Sequence, residues 1–340
     1  MRRIAILAII LSGLTKIQAQ DVVFSQFYNT TLYLNPAFAG ISGGPRLTAL
    51  YRNQWPLLGN AYSTYLVSYD QFLNQINSGV GAIVSSDVQG GFYYTNSITG
   101  MYAYQIQLNE NWAINVGLQA AFMQKRIQTD KLVFAENINL GNGSVNNFPS
   151  KDIPDNPTRS FADFGAGALF FSKKVFIGFA AKHLSQPNES FDNTLPEHLP
   201  ICYDANAGIE LRSGNYSSSS FFSPNIMYAQ QEFFKQATGG FITGINVFYA
   251  GLYYRYAFGK NNAASVQSDS IKASNSSAFI LLAGLQKGIF KIGYSYDITL
   301  GGLSGTGGSH EISVTLNFND SKKSREKNQR KKLTECPKMF

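Results

Sequence analysis

Three histidines, His183, His198 and His310, are the side chains of this chain best suited to proton transfer or metal binding near neutral pH. His183, in Lys182-His183-Leu184-Ser185-Gln186-Pro187, and His198, before Leu199-Pro200, flank one loop and invite a zinc reading. Their spacing forms no recognised metal pattern. An imidazole making hydrogen bonds at a strand end is the reading that fits His183. His310 stands beside Glu311 in Gly308-Ser309-His310-Glu311-Ile312-Ser313, an acid/base pair in composition only. Neighbours along a strand point to opposite faces, so the two cannot share a site. No nucleophile elbow, oxyanion loop or paired carboxylates can be assembled around them. The sequence therefore points to no catalytic residue, no bound metal and no cofactor.

The elements that carry these residues are strands. From Pro45 onward apolar and polar residues alternate with period two, with turn signals at short intervals. Between Trp112 and Gln128, for example, Ile114, Val116, Leu118, Ala120 and Phe122 alternate with Asn115, Gly117, Gln119 and Ala121. One face is apolar; the other is small or amide-bearing. The same reading predicts strands over 46–55, 61–71, 78–87, 92–108, 112–128, 161–172, 175–184, 201–212, 219–229, 236–246, 247–258, 277–286, 290–297 and 310–318. That makes about 14 strands, an even number as a closed single-chain bacterial barrel requires. The turn near Asn246 is weakly signalled, which leaves twelve or sixteen open. Predicted loops after odd strands include long ones, at 129–160, 185–200, 259–276 and 298–309, whereas those after even strands are short, as at Asn109-Glu110 and Lys173-Lys174. Long outer loops and short inner turns are the asymmetry of an outer-membrane barrel, and a soluble sandwich has no reason to alternate this way.

Composition agrees. Aromatic and charged residues each make up 14% of the chain, with 31 Gly, 19 Tyr and 26 Phe. Soluble domains carry about 25% charged residues. The start, MRRIAILAIILSGLTKIQA, reads as a secretory signal over 1–19, because its apolar run from Ile4 to Leu11 is too short to span a bilayer. The net charge of +7 resides at the ends: three cations lie in the signal and a net five in the tail from Asn319 to Phe340, which leaves the body near −1. No basic stripe with interleaved aromatics runs through the body, so a nucleic-acid partner is not expected. The basic tail reads as a periplasmic extension, either solvated or bound to an anionic partner such as peptidoglycan or an acidic protein surface. Cys202 and Cys336 are expected to be free thiols.

Within an all-β transmembrane barrel, an arginine in a strand is costly towards lipid. Arg52, in Tyr51-Arg52-Asn53-Gln54-Trp55-Pro56, should therefore face the lumen and pair with a carboxylate. Asp70, in Ser68-Tyr69-Asp70 of the neighbouring strand, is the expected partner. Such a pair either stiffens the wall or contacts a ligand.

The segment before the first strand, Phe24-Ser25-Gln26-Phe27-Tyr28-Asn29-Thr30-Thr31-Leu32-Tyr33-Leu34-Asn35-Pro36-Ala37-Phe38-Ala39-Gly40, is too polar and interrupted for a membrane span. Its FSQ-x5-LYLNPA-x-AG pattern resembles the PorP/SprF family of outer-membrane proteins of the type IX secretion system. So do the Tyr51–Pro56 block with Arg52, Asn53 and Trp55, Asp87-Val88-Gln89-Gly90-Gly91, the His183 block, Gly293-Tyr294-Ser295-Tyr296-Asp297, and the block of His310 and Glu311. The resemblance implies a non-enzymatic protein of a Gram-negative outer membrane. It would help export or anchor a secreted or surface partner bearing a C-terminal sorting domain, in contact with periplasmic secretion components. A porin-like or hydrophobic-substrate channel is the alternative, and an outer-membrane lipase a third. Residues 20–44 are expected to plug the lumen or strap its inner mouth, with Phe27, Tyr33 and Phe38 as anchors and Phe24, Gln26, Asn35, Pro36 and Gly40 in the motif. Direct contact with the secretion machinery is the competing role for that segment.

Overall fold

The computed structural model describes residues 21–59, 62–139, 144–145, 153–154, 156–192, 194–213, 220–258 and 277–318. The expected signal, the basic tail and Cys336 lie outside these residues.

Alternation decides the architecture. An antiparallel strand with one apolar and one polar face must bury or wet each face separately, and a lipid phase tolerates strands only when every edge is paired. The chain meets both demands by closing on itself. Its strands are β1 (Arg46–Gln54), β2 (Tyr62–Leu73), β3 (Ser78–Gln89), β4 (Tyr93–Gln107), β5 (Trp112–Ile127), β6 (Thr158–Ser172) and β7 (Val175–Lys182). They continue as β8 (Cys202–Ile209, extended after a break at Glu210 by Leu211–Ser213), β9 (Ser220–Gln231), β10 (Phe234–Ile245), β11 (Phe248–Phe258), β12 (Ala278–Lys287), β13 (Phe290–Thr299) and β14 (Ser309–Asn317). Each pairs antiparallel with the next, and β14 pairs with β1 from Arg46 opposite Asn317 to Gln54 opposite Ser309. The result is a closed barrel of 14 antiparallel strands. No helix among the described residues is long and apolar enough to cross a membrane; the chain crosses with strands.

The predicted faces hold. In β5, Val116, Leu118 and Phe122 are exposed outward, whereas Asn115, Gly117 and Ala121 are buried inward. The weakly signalled turn is the two-residue Asn246-Val247 hairpin; Asn246 adopts φ +58, which an asparagine tolerates. Several boundaries differ. β6 begins at Thr158, three residues early, because Arg126 and Lys125 of β5 still find partners there in Thr158 and Arg159. A 3-10 helix over Gly301–Thr306 occupies the loop between β13 and β14.

The interior is not empty. Residues 21–44 lie inside the wall and form two buried clusters with it. Phe24, Leu32, Ala37, Phe38 and Ala39 pack on Leu50, Leu66, Ile83, Met101, Leu169 and Phe176. Phe27, Tyr28 and Leu34 pack on Met227, Ile242, Tyr249, Tyr253 and Ile280. A short helix α1 (Thr31–Leu34) and a 3-10 turn over Pro36–Phe38 shape the segment, and Asn35 caps the turn by accepting from the Ala37 amide at 2.8 Å. Pro36 opens that turn, where its missing N–H would have had no partner.

Candidate functional site

The N-terminal segment traverses the lumen. At the end carrying the long loops, the Asp21 amide donates to Gln231 Oε1 at 2.9 Å. At the short-turn end, the Gly40 amide donates to Asp70 Oδ2 at 2.9 Å. In outer-membrane barrels the long-loop end faces the exterior and the short turns face the periplasm.

Near the outer end the segment enters a buried ionic network. Ser25 Oγ donates to Asp297 Oδ2 at 2.6 Å and accepts from Arg52 Nη1 at 3.1 Å and Arg255 Nη2 at 2.7 Å. Arg52 forms an ion pair with Glu311, and Arg255 Nη1 pairs with Asp297 at 2.7 Å. Both oxygens of Glu311 also accept from the segment's backbone, from the Ser25 amide at 2.7 Å and the Gln26 amide at 2.8 Å. Gln26 Nε2 donates to the Glu311 carbonyl at 3.0 Å. Two arginines and two carboxylates thus close around one hydroxyl and two amides, which is how a buried charge cluster is made tolerable.

The expected pairing of Arg52 with Asp70 is corrected. The β1–β2 register sets Arg46, not Arg52, opposite Asp70, and Arg46 Nε donates to Asp70 Oδ1 at 2.8 Å. Arg52 lies opposite Thr64 on that side. Barrel closure supplies its acid from the last strand, where it faces Glu311 directly.

A second network holds the first residue of the segment. Asp21 Oδ2 lies 2.9 Å from His183 Nε2 and 3.4 Å from Lys182 Nζ. His183 Nδ1 lies 3.0 Å from Asp163 Oδ2, and Lys182 Nζ lies 3.1 Å from Asp204. Burial opposes ionisation of Asp21, but His183 and then Lys182 overcome it and hold the carboxyl well below the usual range. Burial likewise pushes His183 down, yet Asp21 and Asp163 raise it to about 9. His183 is thus a charged bridge between segment and wall, a fuller role than a lone imidazole. His198 sits apart, its Nδ1 2.8 Å from the Gln186 carbonyl. No group of three potential metal ligands occurs among the described residues.

Towards the inner end amide side chains bond to backbone carbonyls and backbone packs on backbone. Asn35 Nδ2 donates to the Ala168 and Phe179 carbonyls at 3.1 Å each, and Asn115 Nδ2 donates to the Ala37 carbonyl at 3.0 Å. Glycines of the wall make room. A Cβ on Gly79 would lie 1.9 Å from the Ala39 carbonyl oxygen, and one on Gly117 would lie 2.4 Å from the Ala37 nitrogen. Gly40, at φ +75, turns the chain out of the lumen beside Gly79. Phe24 meets Tyr33 edge-on with centroids 5.1 Å apart, Phe27 meets Tyr253 at 5.3 Å, and Phe38 meets Phe176 at 6.2 Å.

Of the sequence-predicted residues, the lumen thus gathers Phe24, Gln26, Tyr33, Asn35, Pro36, Phe38, Gly40, Arg52, Asp70, His183, Asp297 and Glu311. It does not gather Tyr296 and His310, whose rings lie 4.9 Å apart on the other face. Asn53 falls on that outward side of β1, while Trp55 lines the outer mouth. Missed in the sequence were Asp21, Asp163, Arg46 and Arg255, and the ionic roles of Ser25 and Lys182, which the motifs contain. Arg255 and Lys182 carried the signal already used for Arg52: a cation inside an alternating strand, on its inward parity.

Above the segment a cavity of about 1340 Å³ opens at the long-loop end. Asp21, Val22, Val23, Arg52, Arg255 and Asp297 lie at its base, and its strand residues all come from the outer ends of strands, among them Thr64, Asp87, Tyr93 and Gln236.

A closed antiparallel barrel with lipid-facing apolar residues and an occupied lumen defines an outer-membrane β-barrel protein of a Gram-negative bacterium. The chain belongs to the PorP/SprF family of type IX secretion system membrane proteins, whose family model matches residues 16–316. Among solved structures, it is similar to a FadL homologue of Pseudomonas aeruginosa, at 12% identity, TM-score 0.44, 85% of this chain and 94% of the other. The toluene transporter TodX of P. putida matches at 11% identity, TM-score 0.44 and the same coverage, 85% and 94%. BamA of Haemophilus ducreyi lacking POTRA domains 1–3 matches at 9%, TM-score 0.38, 81% and 70%. No curated protein matches the chain. The family is one of secretion proteins, and membership implies interaction with other secretion components.

Proposed function

We propose that this barrel is a non-enzymatic docking protein that helps export or anchor a specific secreted partner carrying a C-terminal sorting domain. In this reading the outer loops and the cavity between them grip the partner. Residues 20–44 act as a plug whose inner end, with the basic tail, faces the periplasmic secretion components or peptidoglycan. The observation that carries it is the cavity of about 1340 Å³ at the long-loop end, floored by a segment bonded to the wall at both ends. An open pore needs its lumen free, whereas a docking barrel needs a rigid outward receptacle.

The test is deletion of the gene followed by quantification of surface proteins, with pull-down from solubilised outer membranes. Loss of one large surface protein on deletion, and its co-purification with the barrel, is expected. An unchanged surface proteome would refute the docking role. Solute flux through the reconstituted wild-type barrel would favour a channel instead.

A further inference from the structure

The outer cavity combines two features that recognise the same chemistry. Its lining includes the aromatic side chains Trp55, Tyr62, Phe92, Tyr93 and Phe191, with Trp55 and Tyr62 edge-on at 5.4 Å and Tyr93 and Phe191 edge-on at 6.2 Å. It also carries six carboxylates, Asp21, Asp87, Glu189, Asp192, Glu197 and Asp297, against two guanidinium groups.

Three of those acids are neutralised within the protein: Asp21 by His183 and Lys182, Glu189 by Lys125, and Asp297 by Arg255. Arg52 is engaged by Glu311 below the floor. The other three acids, Asp87, Asp192 and Glu197, form no ion pair among the described residues. Asp87 takes only neutral donors, Thr64 Oγ1 at 2.6 Å and Gln89 Nε2 at 2.9 Å. Asp192 takes only the Thr194 amide at 2.8 Å and hydroxyl at 2.7 Å, which lower its pKa and keep it ionised. Among the described residues the cavity wall is therefore left with three carboxylates that no ion pair neutralises, beside aromatic faces.

Carboxylates with exposed aromatic rings are the pairing that receives ammonium and guanidinium groups, by charge and by cation–π attraction. Small-molecule pockets run to about 300–1,000 Å³, so a volume of about 1340 Å³ suits a stretch of polypeptide better than a metabolite. We infer that the outer cavity binds a Lys/Arg-bearing segment of the secreted partner, with Asp87, Asp192 and Glu197 taking its cationic side chains and the aromatic wall their stems and faces. This rests on the docking role for the identity of the partner, but the cavity's preference for cationic peptide stands on its own chemistry. A neutral glycan would also stack on such rings, yet would leave the three charges unanswered.

The full-length barrel in detergent or nanodiscs is titrated with a fluorescent lysine/arginine-rich peptide, an acidic peptide of equal length and a neutral oligosaccharide. The triple variant Asp87→Asn, Asp192→Asn, Glu197→Gln is compared with wild type after its heat-modifiable mobility on unboiled gels confirms a folded barrel. The cationic peptide should bind wild type, weaken as salt rises, and bind the triple variant at least about tenfold more weakly. The acidic peptide should not bind. Equal affinity of the cationic peptide for wild type and variant, absence of binding, or preferential binding of the oligosaccharide would each overturn the inference. In cells, peptide binding without any surface protein lost on gene deletion would refute the docking role and leave the cavity chemistry intact. Loss of that surface protein on deletion but not in the triple variant would do the reverse.

Discussion

The N-terminal segment lies backbone to backbone against two wall glycines, and that close fit yields a sharp test. In the double variant Gly79→Ala, Gly117→Ala, one new methyl would sit 1.9 Å from the Ala39 carbonyl oxygen and the other 2.4 Å from the Ala37 nitrogen. Ordinary contact needs about 3.5 Å, so the shortfall is roughly 1.6 Å at Gly79 and roughly 1.1 Å at Gly117. Both obstacles are backbone, and no rotamer change relieves them. The wall is the stiffer side, since β3 and β5 are each paired along their length with both neighbours. The segment must therefore yield. Its displacement breaks the Asn115 bond to the Ala37 carbonyl and the Gly40 bond to Asp70, and it loosens Phe38, which is fully buried. At about 1 kcal/mol for the neutral bond, about 2 for the charge-assisted one and about 2 for the ring, seating weakens by roughly 5 kcal/mol. The barrel should still fold, and planar-bilayer recording should show higher conductance than wild type, with residues 21–44 open to added protease. Gly100→Ala is the control, because its Cβ would meet nothing within 4 Å. A double variant that stays as closed and as protease-resistant as wild type would refute the reasoning that these glycines exist to seat the segment.

Other expectations follow from the ionic networks and the cap. Arg52→Met and Glu311→Gln should each lower thermal stability by about 3–5 kcal/mol, because each strands a buried partner; the double variant should lose less than the sum, read as a coupling energy in a double-mutant cycle. Asn35→Ala removes the cap of the Pro36–Phe38 turn and two bonds to wall carbonyls, and should cost about 2–3 kcal/mol in the same assay. His183, just past the end of β7, has its pKa raised to about 9, so the bridge to Asp21 is at full strength below about 6.5, the unfolded value, and is lost as pH rises through 9. With the base-catalysed intrinsic rate divided out, hydrogen-exchange protection over residues 21–28 should fall between pH 7 and 10, and His183→Gln should abolish that fall. Asp21, held low, adds the complementary limb: its contribution is present above about 3.8 and fades only on strong acidification.

Strand alternation was legible because the two sides of a barrel wall meet opposite solvents, so Leu118 and Asn115 could be assigned to faces from parity alone. Charge partners were not. Arg52 and Asp70 have the right parity, but which of two inward arginines meets Asp70 depends on register. The β1–β2 register gives Asp70 to Arg46, six residues away from Arg52 along β1. Glu311 was noticed only as a neighbour of His310; its position opposite Arg52 exists only once the last strand closes on the first. Asp21 and Ser25 carry no periodic signal, since they lie on irregular backbone, and their importance comes from wall groups 162 and 286 residues away.

The two ends of the lumen segment are fastened by different physics, and that difference bears on function. At the outer end Asp21 and Ser25 are held by ionic and charge-assisted bonds, which respond to a nearby charge; at the inner end Asn35 to Gly40 is held chiefly by shape, backbone against glycine, with one charge-assisted bond from the Gly40 amide to Asp70, whose charge Arg46 already neutralises. Asp21, Arg52, Arg255 and Asp297 line the base of the same cavity that carries Asp87, Asp192 and Glu197. A cationic side chain entering there would compete with Arg52 and Arg255 for Asp297 and Glu311 and so loosen the outer fastening before the inner one. In the docking reading, occupancy outside would then reach the periplasmic end through one continuous stretch of chain. Proteolysis with the cationic peptide bound should cut nearer Asp21 than Gly40; protection of both ends alike would show that the fastening does not respond to the occupant.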